Sequence, residues 1–290
     1  MKCIICNNPK LSLLANKTRD SNKHSIVKCP KCELVQLSPV PTDEELKKFY
    51  NEGRQMKNIS EPTEIDLLRK NQKSDTIRRT DFVSKLISPP SSILDIGTGF
   101  GFFLEEMKKR KFNVTGIEIS KFARQIAKRI TKAKILDIDI FTNLLSEKFD
   151  AVTLFHVLEH IKKTVSFLRI IKSSLKENGK LIIEVPNLDD LMLKSNEAYR
   201  NFYWQKAHLL YFNAKTLIST VKKAGFLKYK IYYEQRYSLN NFMNWMINNQ
   251  PQIQQPSFKI NGNYQWLEDI YKKRLIETGK SDTLILIALN

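Results

Sequence analysis

The stretch Asp95-Ile96-Gly97-Thr98-Gly99-Phe100-Gly101 constrains this chain more than any other segment. Ile93 and Leu94 lead into it as a buried strand would, and Phe102-Phe103-Leu104-Glu105-Glu106-Met107 leaves with helical spacing. A strand, a glycine turn and a helix are therefore expected in succession. Without a Cβ, glycines let a ligand lie against the backbone, and the start of the following helix offers N–H groups to it. Asp95, at the strand end, can accept from an amine or a hydroxyl. Asn113-Val114-Thr115-Gly116-Ile117-Glu118 then reads as a second strand ending in an acid. That acid falls about 20 residues past the first glycine, a spacing that suits ribose hydroxyls. The pattern predicts a bound nucleoside. Dinucleotide binders favour G-x-G-x-x-G, and the spacing here is G-x-G-x-G, so the turn alone does not choose the cofactor.

All four cysteines lie in the first 32 residues, as Cys3-x-x-Cys6 and Cys29-x-x-Cys32. Paired knuckles with this spacer predict a structural zinc ion closed by four thiolates. Two redox pairs or disulfides are the alternative, and a reducing cytosol disfavours them. His24, between the pairs, is expected to be an exposed loop residue. A chain of 290 residues, 42% hydrophobic and 27% charged, suits one catalytic domain with a small appendage and argues against disorder. No apolar run approaches the roughly 18 residues that span a bilayer, and the first residues lack the apolar core of a signal peptide. A soluble, cytoplasmic protein without a transmembrane segment is expected. The formal net charge is +18. Residues 1–60 carry eleven basic and six acidic groups (+5), and residues 191–230 carry eight basic and one acidic (+7). Such segments are either solvated lysine-rich faces or an attraction for an anionic acceptor or a membrane surface.

After the cysteines, residues 33–41 read as a short strand and a proline turn, and Thr42-Asp43-Glu44-Glu45 caps a helix reaching Phe49-Tyr50. Residues 63–87 have helical spacing and stop before Pro89-Pro90. A third strand at 135–140 carries Asp137 and Asp139, and a fourth at 148–155 runs into a helix holding His156, Glu159 and His160. On such a helix His156 and His160 share a face by i,i+4 spacing. Further helices are expected at 121–130 and 163–176, the latter ended by Asn178-Gly179, and at 214–224, closed by Gly225. Strands follow at 180–185, 228–234 and 282–289, with an insertion at 240–276. Its Trp245 and Trp266 either pack against the sheet or line an acceptor pocket or a dimer contact. The expected organisation is 1–50 for the metal module and its helix, 51–92 as a helical linker, and 93–290 as the catalytic domain.

Taken together, D-x-G-x-G-x-G, an acid after each of strands two and three, and then Phe149-Asp150-x-Val152 resemble the class I S-adenosylmethionine-dependent methyltransferases. The wording Phe155-x-x-Leu158-Glu159-His160 and Ile182-Ile183-Glu184-Val185-Pro186-Asn187 looks like a branch common among sugar and small-molecule methyltransferases. C-x-x-C-x-L-V, a proline-rich turn and E-E-L-x-x-F-Y resemble the zinc-ribbon module joined to that branch. The resemblance implies an α/β, doubly wound, seven-stranded Rossmann-like sheet whose last two strands pair antiparallel, with a small N-terminal zinc ribbon. It implies that Asp95, Gly97, Gly99 and Gly101 cradle the methionine moiety, with Phe102 among the cofactor contacts. Glu118 takes the ribose hydroxyls, with Ile119 against the adenine. Asp139 accepts from the adenine amine beside Ile140 or Phe141, and Asp137 replaces it if the loop aligns two residues earlier. Phe155 and His156 border the sulfonium.

Methyl transfer mainly needs orientation and dryness, and a hydroxyl acceptor also needs a base, for which His156, His208 and His160 are the candidates, with Glu159 as a carboxylate alternative. Asn187 is expected to hydrogen-bond the acceptor. The branch implies O-methylation of a sugar, a nucleotide-linked sugar or another anionic precursor of a surface polysaccharide, with peripheral membrane contact open. The first alternative is an rRNA or tRNA methyltransferase using the ribbon to bind RNA. Those acting on base nitrogens usually carry N-P-P-Y after strand four, where this chain reads Phe155-His156-Val157-Leu158, so no nucleic-acid partner is expected. The second alternative is an inactive cofactor-binding protein, against which the intact Asp95, Glu118 and glycines argue.

Overall fold

A computed structural model describes residues 2–42, 44–46, 62–142, 145–251 and 262–290. The chain first forms three short strands, β1 (Ser12–Ala15), β2 (Ser25–Lys28) and β3 (Val35–Ser38), joined antiparallel. All four residues of β3 are buried, as are Leu34 and Ile26. Thr42 and Glu45 then make a reciprocal cap: Glu45 N donates to Thr42 Oγ1 at 3.2 Å and Thr42 N to Glu45 Oε2 at 2.7 Å. The expected continuation to Phe49-Tyr50 lies outside the described residues.

Helix α1 (Pro62–Ser84) precedes the glycine turn. The units β4 (Ser92–Ile96), α2 (Phe102–Lys109), β5 (Asn113–Ile117), α3 (Lys121–Thr131), β6 (Lys134–Leu136) and β7 (Phe149–Phe155) follow in alternation. β4 pairs parallel with both β5 and β7, and β5 parallel with β6. Parallel strands need crossover helices, which bury both faces and explain the apolar Ile93, Leu94, Val152 and Leu154. α3 is amphipathic, with Ala123, Ile126 and Ala127 inward, and Ser120 caps it by accepting from Ala123 N.

α4 (Thr164–Ser173) leads into β8 (Leu175–Pro186). The expected helix end at Asn178-Gly179 is therefore corrected. The helix stops five residues before Asn178, whose φ of +59° belongs to a tight backbone excursion inside the strand. A Cβ on Gly179 would lie 2.8 Å from the Lys176 carbonyl oxygen, so only glycine closes it. Beyond come α5 (Leu191–Ser195), α6 (Glu197–Tyr203), β9 (Leu210–Tyr211), α7 (Ala214–Lys223), β10 (Lys228–Glu234), α8 (Leu239–Asn248), α9 (Gln265–Glu277) and β11 (Thr283–Leu289). The main sheet has seven strands in the order β10-β11-β8-β7-β4-β5-β6, as expected of a Rossmann-like methyltransferase. The smaller sheet, β1-β2-β3-β9, is closed by Val35 and Gln36 pairing with Tyr211 and Leu210.

The chain groups into two compact units. One comprises Met1–Val40, His156–Ser166 and Ile183–Ile287, and the other Pro41–Phe155, Phe167–Ile182 and Ala288–Asn290. His24 is buried, not exposed, because Pro39 O lies 2.9 Å from its Nδ1 and holds it inside the first unit.

Candidate active site

In the second unit the glycine turn is held from beneath. Gly97 N and Thr98 N both donate to Ile117 O, at 2.8 and 3.1 Å. Gly97, Gly99 and Gly101 take φ of +74°, +56° and +83°, which L side chains disfavour. Their roles differ. A Cβ on Gly99 would meet nothing within 4 Å, so the turn has open space there, as a ligand cradle requires. A Cβ on Gly101 would stand 2.9 Å from Thr131 Cγ2 and 3.1 Å from Ala127 Cα, so this glycine lets α2 approach α3. The Phe102 ring also points inward, buried with Phe100, Ala123 and Ile126.

Glu118 is 7% exposed, and its carboxylate accepts from Gly99 N and Ser120 N, each at 2.8 Å. The acid after the second strand is thus tied directly to the glycine turn. Asp95 is buried and accepts from Thr153 Oγ1 at 2.7 Å, and burial pushes its carboxyl up to about 6. Thr98 Oγ1 is buried without a hydrogen-bond partner among the described residues. An open face at Gly99, an orphaned hydroxyl and two acids at strand ends fit a nucleoside cofactor with a polar tail.

The two acids after β6 have separate duties. Asp137 accepts from Arg124 Nη2 at 2.5 Å, while Arg124 Nη1 donates to Glu118 O at 2.7 Å. Asp139 is exposed and takes Phe141 N at 2.9 Å in a local turn. Ile140 is buried, whereas Ile119 and Phe141 present exposed apolar surface. The Phe155 ring stands edge-on to Phe103 at 4.9 Å, with the Arg79 guanidinium over it at 4.8 Å. Sequence reading missed Arg124, a buried cation that spacing alone does not attach to either acid.

In the first unit His156 adopts a φ of +56°, so the backbone turns sharply and only a 3-10 turn, Leu158–His160, follows. The expected i,i+4 helical pairing of His156 with His160 is therefore corrected. His156 N donates to Glu184 O at 2.8 Å, and its Nδ1 lies 3.2 Å from Glu159 Oε1. Arg236 Nη1 stands 2.9 Å and Glu184 Oε1 3.3 Å from Nε2, so this nitrogen accepts from the guanidinium in the neutral ring and donates to the carboxylate when protonated. Burial disfavours a charged imidazole, but Glu159 and Glu184 outweigh burial and Arg236, and its pKa is raised. His160 instead donates from Nδ1 to Ala207 O at 2.7 Å, and its ring meets that of His208 with centroids 5.0 Å apart. Burial pushes His208 down to about 3, so it is neutral.

His156 and His208 line a cavity of about 490 Å³. Its walls include Tyr199, Phe202, Tyr237 and Trp245, and both Arg19 and Arg236 reach it. Arg19 lies over the Phe202 ring at 4.3 Å and donates to Gln205 Oε1 at 2.7 Å. Asp282 fixes the backbone of Arg236 and Tyr237 by accepting from both N–H groups, at 3.0 and 2.9 Å. Arg19 and Arg236 were missed from the sequence because they are 217 residues apart with no motif around either. Trp245 packs on Met192, Leu193 and Tyr199 of α5 and α6 rather than on the sheet, and it lines the cavity. Asn187 is corrected. It is fully buried, donating to Ser281 O at 2.8 Å and accepting from Asp189 N at 3.0 Å, so its amide serves the fold.

The four cysteines converge at one point of the first unit. Sγ atoms of Cys3 and Cys32, and of Cys6 and Cys29, are each 3.5 Å apart, and all four lie within 4.8 Å of one another. A disulfide needs about 2.05 Å, whereas the edge of a zinc–thiolate tetrahedron with bonds of about 2.3 Å is about 3.8 Å. The donor set fits zinc. No helix among the described residues is long and apolar enough to cross a membrane.

The methyltransferase domain family matches residues 68–230, more than half of the chain, and the chain belongs to that family. Ubiquinone biosynthesis O-methyltransferases of Histophilus somni and Alkalilimnicola ehrlichii are 32% and 31% identical over 106 and 124 residues. These spans cover 33% and 38% of this chain and 44% and 48% of theirs. The chain thus spans about half the length of these relatives. Among solved structures, an S-adenosylmethionine-dependent methyltransferase from Archaeoglobus fulgidus superposes with a TM-score of 0.55 at 20% identity. It covers 78% of this chain and 99% of its own. A possible histamine N-methyltransferase from Thermotoga maritima gives 0.52 at 16%, covering 78% and 94%. These likenesses show the fold.

Proposed function

We propose that the protein transfers the methyl group of S-adenosylmethionine to a hydroxyl of a small anionic acceptor, a sugar or nucleotide-linked sugar of surface polysaccharide synthesis. The observation that carries this reading is the cavity in which His156, Arg19 and Arg236 meet aromatic walls. Bound cofactor supplies an electrophilic methyl on a sulfonium. Asp95, Gly97, Gly99, Glu118 and Asp139 hold it, and the buried Thr98 hydroxyl gains a partner. On the acceptor side the two guanidinium groups suit a phosphate or carboxylate, and the aromatic rings suit the faces of a sugar or base. Tyr203 Oη, buried without a hydrogen-bond partner among the described residues and lining the cavity, suits a further acceptor oxygen. His156 is the base, held on Glu159 through Nδ1 with Nε2 as the accepting atom.

The relatives named for O-methylation in ubiquinone biosynthesis support oxygen as the target and raise a second reading, a phenolic acceptor against the same rings. A methyl-transfer screen of nucleotide sugars and of phenols, with mass detection, tests both. His156→Ala should lower turnover with the active acceptor by about 10²–10⁴-fold while cofactor affinity holds. Full turnover in that variant would remove His156 from the chemistry.

A further inference from the structure

Beside the cavity, one buried charge has only half of its oxygen atoms satisfied. Glu159 is 1% exposed; Oε1 meets His156, and Oε2 has no hydrogen-bond partner among the described residues. Burying an ionised oxygen without a partner is costly, which makes the surroundings of Oε2 informative. Two imidazoles stand close to this carboxylate. One ligand atom each of Glu159, His160 and His208 lies within 4.8 Å of the others.

We propose that Glu159, His160 and His208 form a second metal centre, which takes one divalent first-row transition ion at the edge of the cavity. Two imidazoles and one carboxylate are borderline donors that suit such ions. Ligand atoms on a common ion with bonds of about 2.1 Å stand about 3–3.5 Å apart, so closure asks for only small side-chain movements. Both ligand-bearing segments are already joined by backbone, because Leu209 N donates to Glu159 O at 2.9 Å.

The outer contacts are those of metal ligands. His160 gives its Nδ1 proton to Ala207 O, which leaves Nε2 as the ligating nitrogen. Glu159 Oε1 is oriented by His156 while Oε2 ligates. Gln205 Nε2 lies 2.9 and 3.2 Å from the two ring nitrogens of His208. Three protein ligands leave open positions for acceptor oxygens on the cavity side, where His208 lies. A bound ion would orient and acidify an acceptor hydroxyl there, and His156 would take the proton.

Cobalt(II) titrated into protein already loaded with one zinc tests the centre without cofactor or acceptor, so its failure leaves the methyl-transfer reading standing. One further cobalt per chain is expected, with an absorption-edge spectrum showing imidazole nitrogen and no sulfur in the first shell. Glu159→Gln and His208→Ala should each weaken this uptake on the order of 100-fold or more, with zinc content and melting temperature as checks on folding. If both variants unfold, the wild-type first shell decides alone. No uptake beyond the zinc, cobalt bound with sulfur neighbours, or uptake unchanged in either folded variant overturns the proposal.

Discussion

Glu118 joins the glycine turn to the end of β5, so its loss acts twice. Glu118→Ala leaves Gly99 N and Ser120 N without their carboxylate and, in the cofactor-binding role proposed for it, removes an acceptor for the ribose hydroxyls. The expected cost is about 2–4 kcal/mol of cofactor affinity, read by calorimetry with S-adenosylhomocysteine. Equal affinity would mean that the ribose lies elsewhere. Asp190 makes a different prediction. Buried at 2% exposure, it accepts from Met192 N at 2.9 Å and Tyr199 Oη at 2.7 Å, yet burial pushes its carboxyl up from 3.8 to about 7. Below about pH 4 the group is protonated in both folded and unfolded chains and contributes no pH dependence. As pH rises toward 7 the unfolded chain loses the proton first, so stability declines across that window. Each pKa unit is about 1.4 kcal/mol, which makes the decline a few kcal/mol. Denaturation midpoints at pH 5 and 7.5 should differ less in Asp190→Asn than in the wild type. An unchanged difference would assign the decline to other groups.

At the scale of elements, the three turn glycines separate into two jobs. Gly101→Ala places a Cβ against Thr131 and the backbone of Ala127 at a φ of +83°, so it should destabilise the fold by about 2–4 kcal/mol. Gly99→Ala meets no neighbour, so it should cost only about 1 kcal/mol of stability while blocking the cofactor cradle. Thermal melts and cofactor titrations of the pair should therefore rank oppositely, and a parallel ranking would refute the division. The sequence carried the glycines and the strand–turn–helix, because both follow from local periodicity and chain flexibility. It misjudged elements where a residue in the left-handed region interrupts a regular pattern. His156 and Asn178, both non-glycine at positive φ, broke the expected helix start and helix end respectively. No local propensity announces such positions, because surrounding contacts hold them there.

For the whole molecule, metal at the four cysteines should be a folding constraint on the N-terminal strands. One zinc per chain is expected there, and Cys3→Ser, or prolonged chelation, should abolish it and raise hydrogen exchange in residues 3–38, with metal analysis and mass spectrometry as readouts. Zinc retained after both treatments would remove these thiolates as its ligands. By itself the sequence determined the alternation of strands and helices, the glycine turn with Asp95 and Glu118, the four-thiolate set, and strand limits as sharp as Lys228–Glu234. These depend on residues close in the chain, where side-chain period and spacing act directly. Only the tertiary structure decided that Arg19 and Arg236 share one cavity, that Arg124 claims Asp137, and that Glu159 faces His160 and His208. Those relations join residues up to hundreds of positions apart, and a charge or lone pair acquires its partner only when folding excludes water around both.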